Sequence, residues 1–191
     1  RHFTNHASAY DRAWNHYRTH YRTIAGNNTM AATPDVLFRR LDEFDIAHET
    51  THHPPLFTVE ESQAIRGRIP GAHNKNLFLR DKKKQNWLIC TLEDKAIDLK
   101  KLSGRIGAAR LSFGSADRLG EFLGVRPGAV TAFALINDPD CKVNVVLDGD
   151  MLAHSLVNFH PLDNNMTTTI SSLDLLRFVA ACGHVPQTLS L

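Results

Sequence analysis

The sequence predicts an α+β domain: a mixed, mostly antiparallel sheet with flanking helices. Three observations carry this. Apolar β-branched runs and helical segments follow one another without a regular βαβ rhythm. Two apolar runs, 76–80 and 86–92, are separated only by Asp81-Lys82-Lys83-Lys84-Gln85, the signature of a hairpin with a basic turn. Helix starts carry side-chain caps at Thr33, Thr58 and Ser115.

The elements follow in order. Thr33 caps a helix with Pro34 at its first position, and Val36, Leu37, Leu41 and Phe44 recur at helical spacing to about Asp45. A strand is expected over 46–50, then a rigid turn, Thr51-His52-His53-Pro54-Pro55. Thr58 begins a second helix over 59–65, with Glu61 completing a capping box. After the hairpin come a short helix over 97–106 with Leu99 and Leu102 inward, a strand over 110–113, and a helix over 116–123 closed by Gly124. Strands are expected over 131–136, 142–147, 157–162 and 167–170. The closing helix, 172–181, would turn Leu173, Leu176, Val179 and Ala180 to the core.

Residues 1–29 differ from the rest: rich in His, Tyr, Arg, Thr and Asn, poor in aliphatics. Met30 then opens a segment that reads as an independent start. Residues 1–29 are expected to be an N-terminal extension, disordered or loosely helical around 10–21, or a start called too early, and 30–191 the domain. His16 and His20 share a helical spacing, but no carboxylate or cysteine completes a metal set.

The 191 residues carry a net charge of +2. Residues 1–29 hold four arginines against one aspartate, a surplus of three, which leaves −1 for the remainder. A near-neutral body argues against a broad nucleic-acid-coating surface but permits a small contact with an RNA end. No apolar run approaches the roughly 20 residues of a membrane span, and the N-terminus lacks a signal-peptide core, so the cytoplasm and no membrane partner are expected. Cys90, Cys141 and Cys182 are scattered and odd in number, which argues against a disulfide framework or zinc knuckle; Cys90 reads as a core hydrophobe. Phosphate-loop, dinucleotide-binding, zinc-protease and nucleophile-elbow motifs are absent, and no metal or cofactor is expected.

Chemistry concentrates in Pro70-Gly71-Ala72-His73-Asn74-Lys75-Asn76-Leu77-Phe78-Leu79-Arg80-Asp81. Lys75 stands where a strand leaves a glycine-bearing loop, and an ammonium there can hold a phosphate or a polar ligand. A solvated lysine at a strand end is the alternative. Strand alternation sets Leu77 and Leu79 on one face and Asn76, Phe78 and Arg80 on the other. Pro127-Gly128 is a turn pair that lets backbone approach a ligand closely. Lys82, Lys83 and Lys84 can touch RNA phosphates or simply keep a strand edge soluble.

These stretches, in order, resemble a known family. His53-Pro54-Pro55, Val59-Glu60-Glu61, 70–79, 98–102, 110–113, 123–131 and Asn158-Phe159-His160-Pro161-Leu162 with Thr167-Thr168 are similar to the aminoacyl-tRNA editing domain. That domain is shared by the bacterial YbaK proteins and the insertion domain of prolyl-tRNA synthetase, and the resemblance is closest to its free-standing prolyl-tRNA editing branch. It covers nearly all of 30–191. It implies a single YbaK-like domain, a trans-acting hydrolase of mischarged alanyl-tRNA(Pro), and the acceptor end of tRNA(Pro) as partner, with prolyl-tRNA synthetase a further candidate. It implies functional roles for Lys75, Gly128 and His160. Asn76 after the lysine is typical of the alanine-clearing branch, where the cysteine-clearing branch more often has threonine.

On that reading Lys75 anchors the terminal ribose-phosphate or the carbonyl. Backbone N–H groups near Gly128 and Ala129 stabilise the oxyanion, with Pro127 and Asn76 lining the substrate. His160 shapes the pocket or holds the water; pinning the turn before Pro161 is its structural alternative. Arg80 and Lys82–Lys84 are candidate tRNA contacts. Cysteinyl-tRNA(Pro) or seryl-tRNA as substrate, or a non-catalytic tRNA-end-binding module, are the rival readings.

Overall fold

A computed structural model describes residues 31–55 and 69–191. The expected helix over 59–65 and the expectations for 1–29 lie outside the described residues. Helix α1 (Pro34–Glu43) starts on the Thr33 cap, whose hydroxyl accepts from the Val36 N–H, and it buries Leu37 and Leu41. Strand β1 is His48–His52, not 46–50. The chain turns at Ile46, whose N–H closes on the Leu41 carbonyl, so the strand begins two residues later and the proline turn begins at His53.

The hairpin forms as expected: β2 (Ala72–Asp81) and β3 (Asn86–Leu92) pair from Asn74–Leu92 to Arg80–Asn86. β2 is longer than anticipated. Lys75 is its fourth residue, in the body of a strand rather than at its mouth. The Asp81 carboxylate fixes the basic turn, accepting from Gln85 N–H at 3.0 Å, and ties in the next loop through Ala109 N–H at 3.2 Å.

Helix α2 (Leu99–Ile106) is capped by Asp98 and ended by Gly107, strand β4 is Leu111–Phe113, and helix α3 (Ala116–Leu123) runs from the Ser115 cap to left-handed Gly124. Residues 132–137 form a 3-10 helix, not the expected strand. The Thr131 hydroxyl caps it, and Ala132, Phe133, Ala134 and Leu135 are all buried. A continuous apolar run of that length does not by itself distinguish a buried strand from a buried helical turn. Strand β5 (Val143–Asp148) leads into a one-turn helix α4 (Gly149–Leu152) that the sequence reading missed. Strands β6 (Leu156–Phe159) and β7 (Met166–Ser171) precede helix α5 (Ser172–Ala181), and a short β8 (Gln187–Leu189), also unforeseen, follows. Helix α5 buries Leu175, Phe178 and Val179, while Leu173 is exposed, so its core face is rotated from the expected one.

The strands form one mixed sheet in the order β1-β7-β6-β2-β3-β5-β8, with β4 joined to β2. β1–β7, β2–β3, β2–β4 and β6–β7 are antiparallel, and β2–β6, β3–β5 and β5–β8 parallel. On one face, Leu79, Trp87, Ile89 and Val146 pack under Leu102 and Ile106 of α2. On the other, Phe159 of β6 meets Phe133 edge-on, and Phe133 meets Phe178 of α5 the same way. Both faces are covered, so the central strands read as continuous apolar runs. Cys90 is fully buried, and burial pushes its thiol far up, as for an inert core residue. Residues 31–191 make one compact unit. No described helix is long and apolar enough to cross a membrane.

Candidate functional site

The sheet splits at β2. Strand β3 pairs along one edge of β2 from Asn74 to Arg80. The opposite edge is shared: β6 pairs only at Ala72 and His73, and β4 only from Leu79 to Asp81. Residues 75–77 therefore have no strand partner on that edge among the described residues. The His73 carbonyl accepts from Glu93 N–H on the β3 side, and the Phe78 carbonyl from Gly114 N–H on the β4 side. Alternation along the strand then directs the peptide groups of Asn76 into the split.

Polar atoms collect around it. Buried His73 Nε2, Asn74 Oδ1 and Asn76 Oδ1, all on β2 at the split, have no hydrogen-bond partner among the described residues, as is also true of Asn165 Oδ1 and, elsewhere, of Arg80 Nε, Trp87 Nε1 and Arg118 Nε. Buried polar groups are normally satisfied, so this concentration marks a place where a ligand's own donors and acceptors fit.

Lys75 lies opposite Thr91 of β3, with the Leu77 and Leu79 face of β2. Its ammonium donates to the backbone carbonyl of Lys95, in the turn after β3. His73 pairs in parallel with Asn158 of β6. Lys75 stands two residues beyond that pair on β2, and β6 ends one residue beyond it, at Phe159, before the turn that holds His160. Asn158 is itself anchored: its amide donates to the Pro70 carbonyl at 2.9 Å, and its Oδ1 accepts from the Thr169 hydroxyl at 2.6 Å.

His160 is half-buried, with Nδ1 at 3.0 Å from the Met166 carbonyl. A carbonyl only accepts, so Nδ1 carries the proton and neutral His160 presents Nε2 as a lone pair. Burial pushes its pKa below the ordinary histidine value. The Met166 hydrogen bond opposes that shift and the His53 charge adds to it. Residues 160–162 form a tight turn: Leu162 N–H donates to the His160 carbonyl at 2.9 Å, and Leu162 holds φ +68°, a conformation uncommon outside glycine.

His53 is a site residue that sequence reasoning used only as a family marker. Its ring lies 6.4 Å from that of His160. Its Nδ1 is 2.8 Å from the Pro54 carbonyl and its Nε2 2.9 Å from the Thr167 hydroxyl. With Nδ1–H donating to the carbonyl, Nε2 accepts from Thr167, so the second histidine is held in one tautomer as well. The signal in the sequence was a histidine before a double proline, which fixes the backbone on its C-terminal side.

Pro127 and Gly128 occupy a β-turn closed by the Ala129 N–H donating to the Arg126 carbonyl at 3.0 Å. Gly128 has φ +91°, as the third position of a type II turn requires. A side chain there would come within 3.7 Å of the Asn164 amide, so this turn abuts the loop that carries His160. The Ala129 N–H is engaged within the turn. The Gly128 N–H makes no hydrogen bond among the described residues and Gly128 is exposed.

Asn76 and the basic residues of the hairpin stand where strand alternation and the hairpin place them. The side chain of Asn76 lies on the opposite face from Lys75, with the side of Cys90, its partner across β3. Arg80 and the exposed Lys82, Lys83 and Lys84 sit at the far end of the hairpin. Arg80 is five residues from Lys75, about 17 Å at ~3.3 Å per residue. Arg80, Lys82 and Arg110 line a groove there with Ser112. No cluster of three or more metal-ligating side chains occurs among the described residues.

Comparison with known proteins accords with this geometry. Residues 53–178 match the family model of the aminoacyl-tRNA editing domain. The chain is 39% identical over 153 residues to the prolyl-tRNA editing protein ProX of Acetoanaerobium sticklandii, covering 80% of this chain and 93% of that protein. It is 40% identical over 159 residues to prolyl-tRNA synthetase associated domain-containing protein 1 of Mus musculus, covering 81% and 94%. Among solved structures, a protein described as a candidate trans-editing enzyme for prolyl tRNA synthetase superposes with a TM-score of 0.62 at 18% identity, over 84% of this chain and 98% of that one.

Proposed function

Because the chain belongs to the aminoacyl-tRNA editing domain family, we propose that it hydrolyses mischarged alanyl-tRNA(Pro) in trans. Family membership makes it an aminoacyl-tRNA deacylase; alanine and tRNA(Pro) are the specific part of the proposal. The observation that supports it is the unpaired edge of β2 beside Lys75, next to the parallel His73–Asn158 pair from which β6 leads into the turn of His160.

The ester between an amino acid and the terminal ribose is already activated, so positioning and charge stabilisation do most of the work. Lys75 holds the terminal phosphate or the ester carbonyl with its ammonium. Water adds to the carbonyl carbon, and its proton is drawn toward a hydrogen-bond acceptor that neutral His160 offers at Nε2. The oxyanion receives the Gly128 N–H, and the Asn76 peptide N–H, facing the split, is a second donor in place of Ala129. Collapse breaks the bond to the ribose oxygen, which leaves with a proton as a hydroxyl. A neighbouring ribose hydroxyl assists this transfer. Asn76 Oδ1 and Pro127 border the substrate from either side. No metal or other cofactor takes part.

A pocket sized for alanine excludes proline by its ring carbons, which complements the difficulty a proline site has in rejecting a smaller residue. Arg80, Lys82, Lys83 and Lys84, about 17 Å or more along the hairpin from Lys75, take phosphates of the acceptor stem while the 3′ end reaches the split. The setting is translation quality control in the cytoplasm, beside prolyl-tRNA synthetase.

The test is deacylation of alanyl-tRNA(Pro) by the full chain and by Lys75→Ala, with prolyl-, cysteinyl-tRNA(Pro) and seryl-tRNA for comparison. Loss of alanine alone, strongly slowed by the substitution, supports the proposal. Cleavage of the cysteine or serine ester instead moves the specificity, and saturable binding without cleavage of any ester makes the chain a binding module.

A further inference from the structure

The ammonium of Lys75 is held by a backbone carbonyl, and what holds that carbonyl is a second charged cluster. Lys95 follows the turn after β3, closed by its N–H donating to the Leu92 carbonyl at 3.2 Å. Its side chain reaches back into the fold. Nζ donates to both oxygens of Asp148 at 3.0 Å and to Asp150 Oδ2 at 2.5 Å. Asp148, the last residue of β5, has no exposed side-chain surface. Its carboxylate also accepts from the Thr91 hydroxyl at 2.7 Å, the Asp150 N–H at 3.1 Å and the Leu191 N–H at 3.2 Å. Thr91 is the residue directly opposite Lys75. One buried carboxylate therefore grips the strand beside Lys75 and, through Lys95, the turn whose carbonyl receives its ammonium.

We infer that Lys95 and Asp148 are positioning residues for Lys75: the Asp148–Lys95 ion pair fixes the carbonyl that receives the Lys75 ammonium. The cap of α4 needs only the Asp148 contact with the Asp150 N–H. It does not need a lysine from another loop, nor a threonine across from the site lysine. A buried carboxylate left without its cation is costly, so the pair holds together as a unit. The cation of Lys95 is consumed by two carboxylates, while the Lys75 ammonium meets a backbone carbonyl. This inference rests on the deacylase reading only for its kinetic arm.

The experiment compares the full chain with Lys95→Met, Lys95→Arg, Lys75→Ala and the double variant Lys75→Ala/Lys95→Met. Single-turnover deacylation of alanyl-tRNA(Pro) is measured across tRNA concentration. In parallel, the rate at which an acylating reagent labels Lys75, relative to exposed Lys83, is followed by mass spectrometry, and folding is checked by thermal melting. Lys95→Met is expected to lower the saturating rate by about ten- to hundredfold, with half-saturation little changed. Lys95→Arg restores most of it, and the double variant is no slower than Lys75→Ala alone. Labelling of Lys75 rises several-fold in Lys95→Met. Multiplicative losses in the double variant, or wild-type labelling of Lys75 in a folded Lys95→Met protein, overturn the inference. If the unaltered chain cleaves none of the four esters, the deacylase reading fails, and the labelling result alone decides this one.

Discussion

His160 Nδ1 lies 3.0 Å from the Met166 carbonyl oxygen, across the loop that joins β6 to β7. This contact decides which nitrogen of the ring carries the proton and which is left as an acceptor. The neutral ring keeps its proton on Nδ1 and offers Nε2 as an acceptor, and burial favours that neutral form.

Deacylation should therefore rise with pH through a single ionisation below 6.5 and then level off. His160→Ala should lower the saturating rate by on the order of a hundredfold and abolish the acid limb. A pH–rate profile of both proteins checks this. A profile unchanged in shape by His160→Ala would assign the limb to another group.

The same shift has a stability consequence. His160 and His184 are both held below the ordinary histidine value, first by burial. The folded state binds fewer protons than the unfolded chain below about pH 6.5. Their contribution is full above that pH and is lost as pH falls through the folded values. Melting temperature should fall as pH is lowered from 7 to 5, and His160→Gln should shed part of that dependence.

Gly71 and Gly128 both hold positive φ but differ in surroundings. A side chain at Gly71 would stand 2.8 Å from the Leu156 carbonyl oxygen, where β2 closes on β6; at Gly128 it would meet only an amide at 3.7 Å. Gly128→Ala should cost about 1–2 kcal/mol, from the left-handed backbone alone. Gly71→Ala should cost more, about 3 kcal/mol or above, because strand backbone must move. Denaturant unfolding of the two variants gives the order directly.

Replacing Lys82, Lys83 and Lys84 together by serine removes exposed charge at the hairpin end. Half-saturation for tRNA should rise, and the slope of log affinity against log salt should flatten by roughly two to three. The saturating rate and melting temperature should hold. Deacylation titrations at several salt concentrations measure each quantity.

Asp81 supplies the opposite case, a buried carboxylate with a structural task. It accepts from Gln85 and Ala109 N–H groups, and Asp81→Ala orphans both. The expected loss is about 2–4 kcal/mol, with little change in deacylation by the protein that stays folded. Chemical denaturation against activity separates the two.

Local chemistry made much of this molecule legible in its sequence. The caps at Thr33 and Ser115, the glycine stop at Gly124 and the hairpin around Lys82–Lys84 depend on neighbours a few residues apart, and each formed where expected. The ordered motifs likewise singled out Lys75, Gly128 and His160. What lay between segments did not show. Residues 132–136 are all apolar and 132–135 are buried, so they carry no period, and Phe133 packs against Phe159 and Phe178 from a 3-10 helix. Helix α5 has leucines on both sides, and only the sheet beneath it chose Leu175 over Leu173. The split in β2 and the hold of Asp148 on Lys95 each join residues far apart in the chain. A hydrogen bond between such partners has no spacing to detect; it exists only once the sheet order brings the strands together.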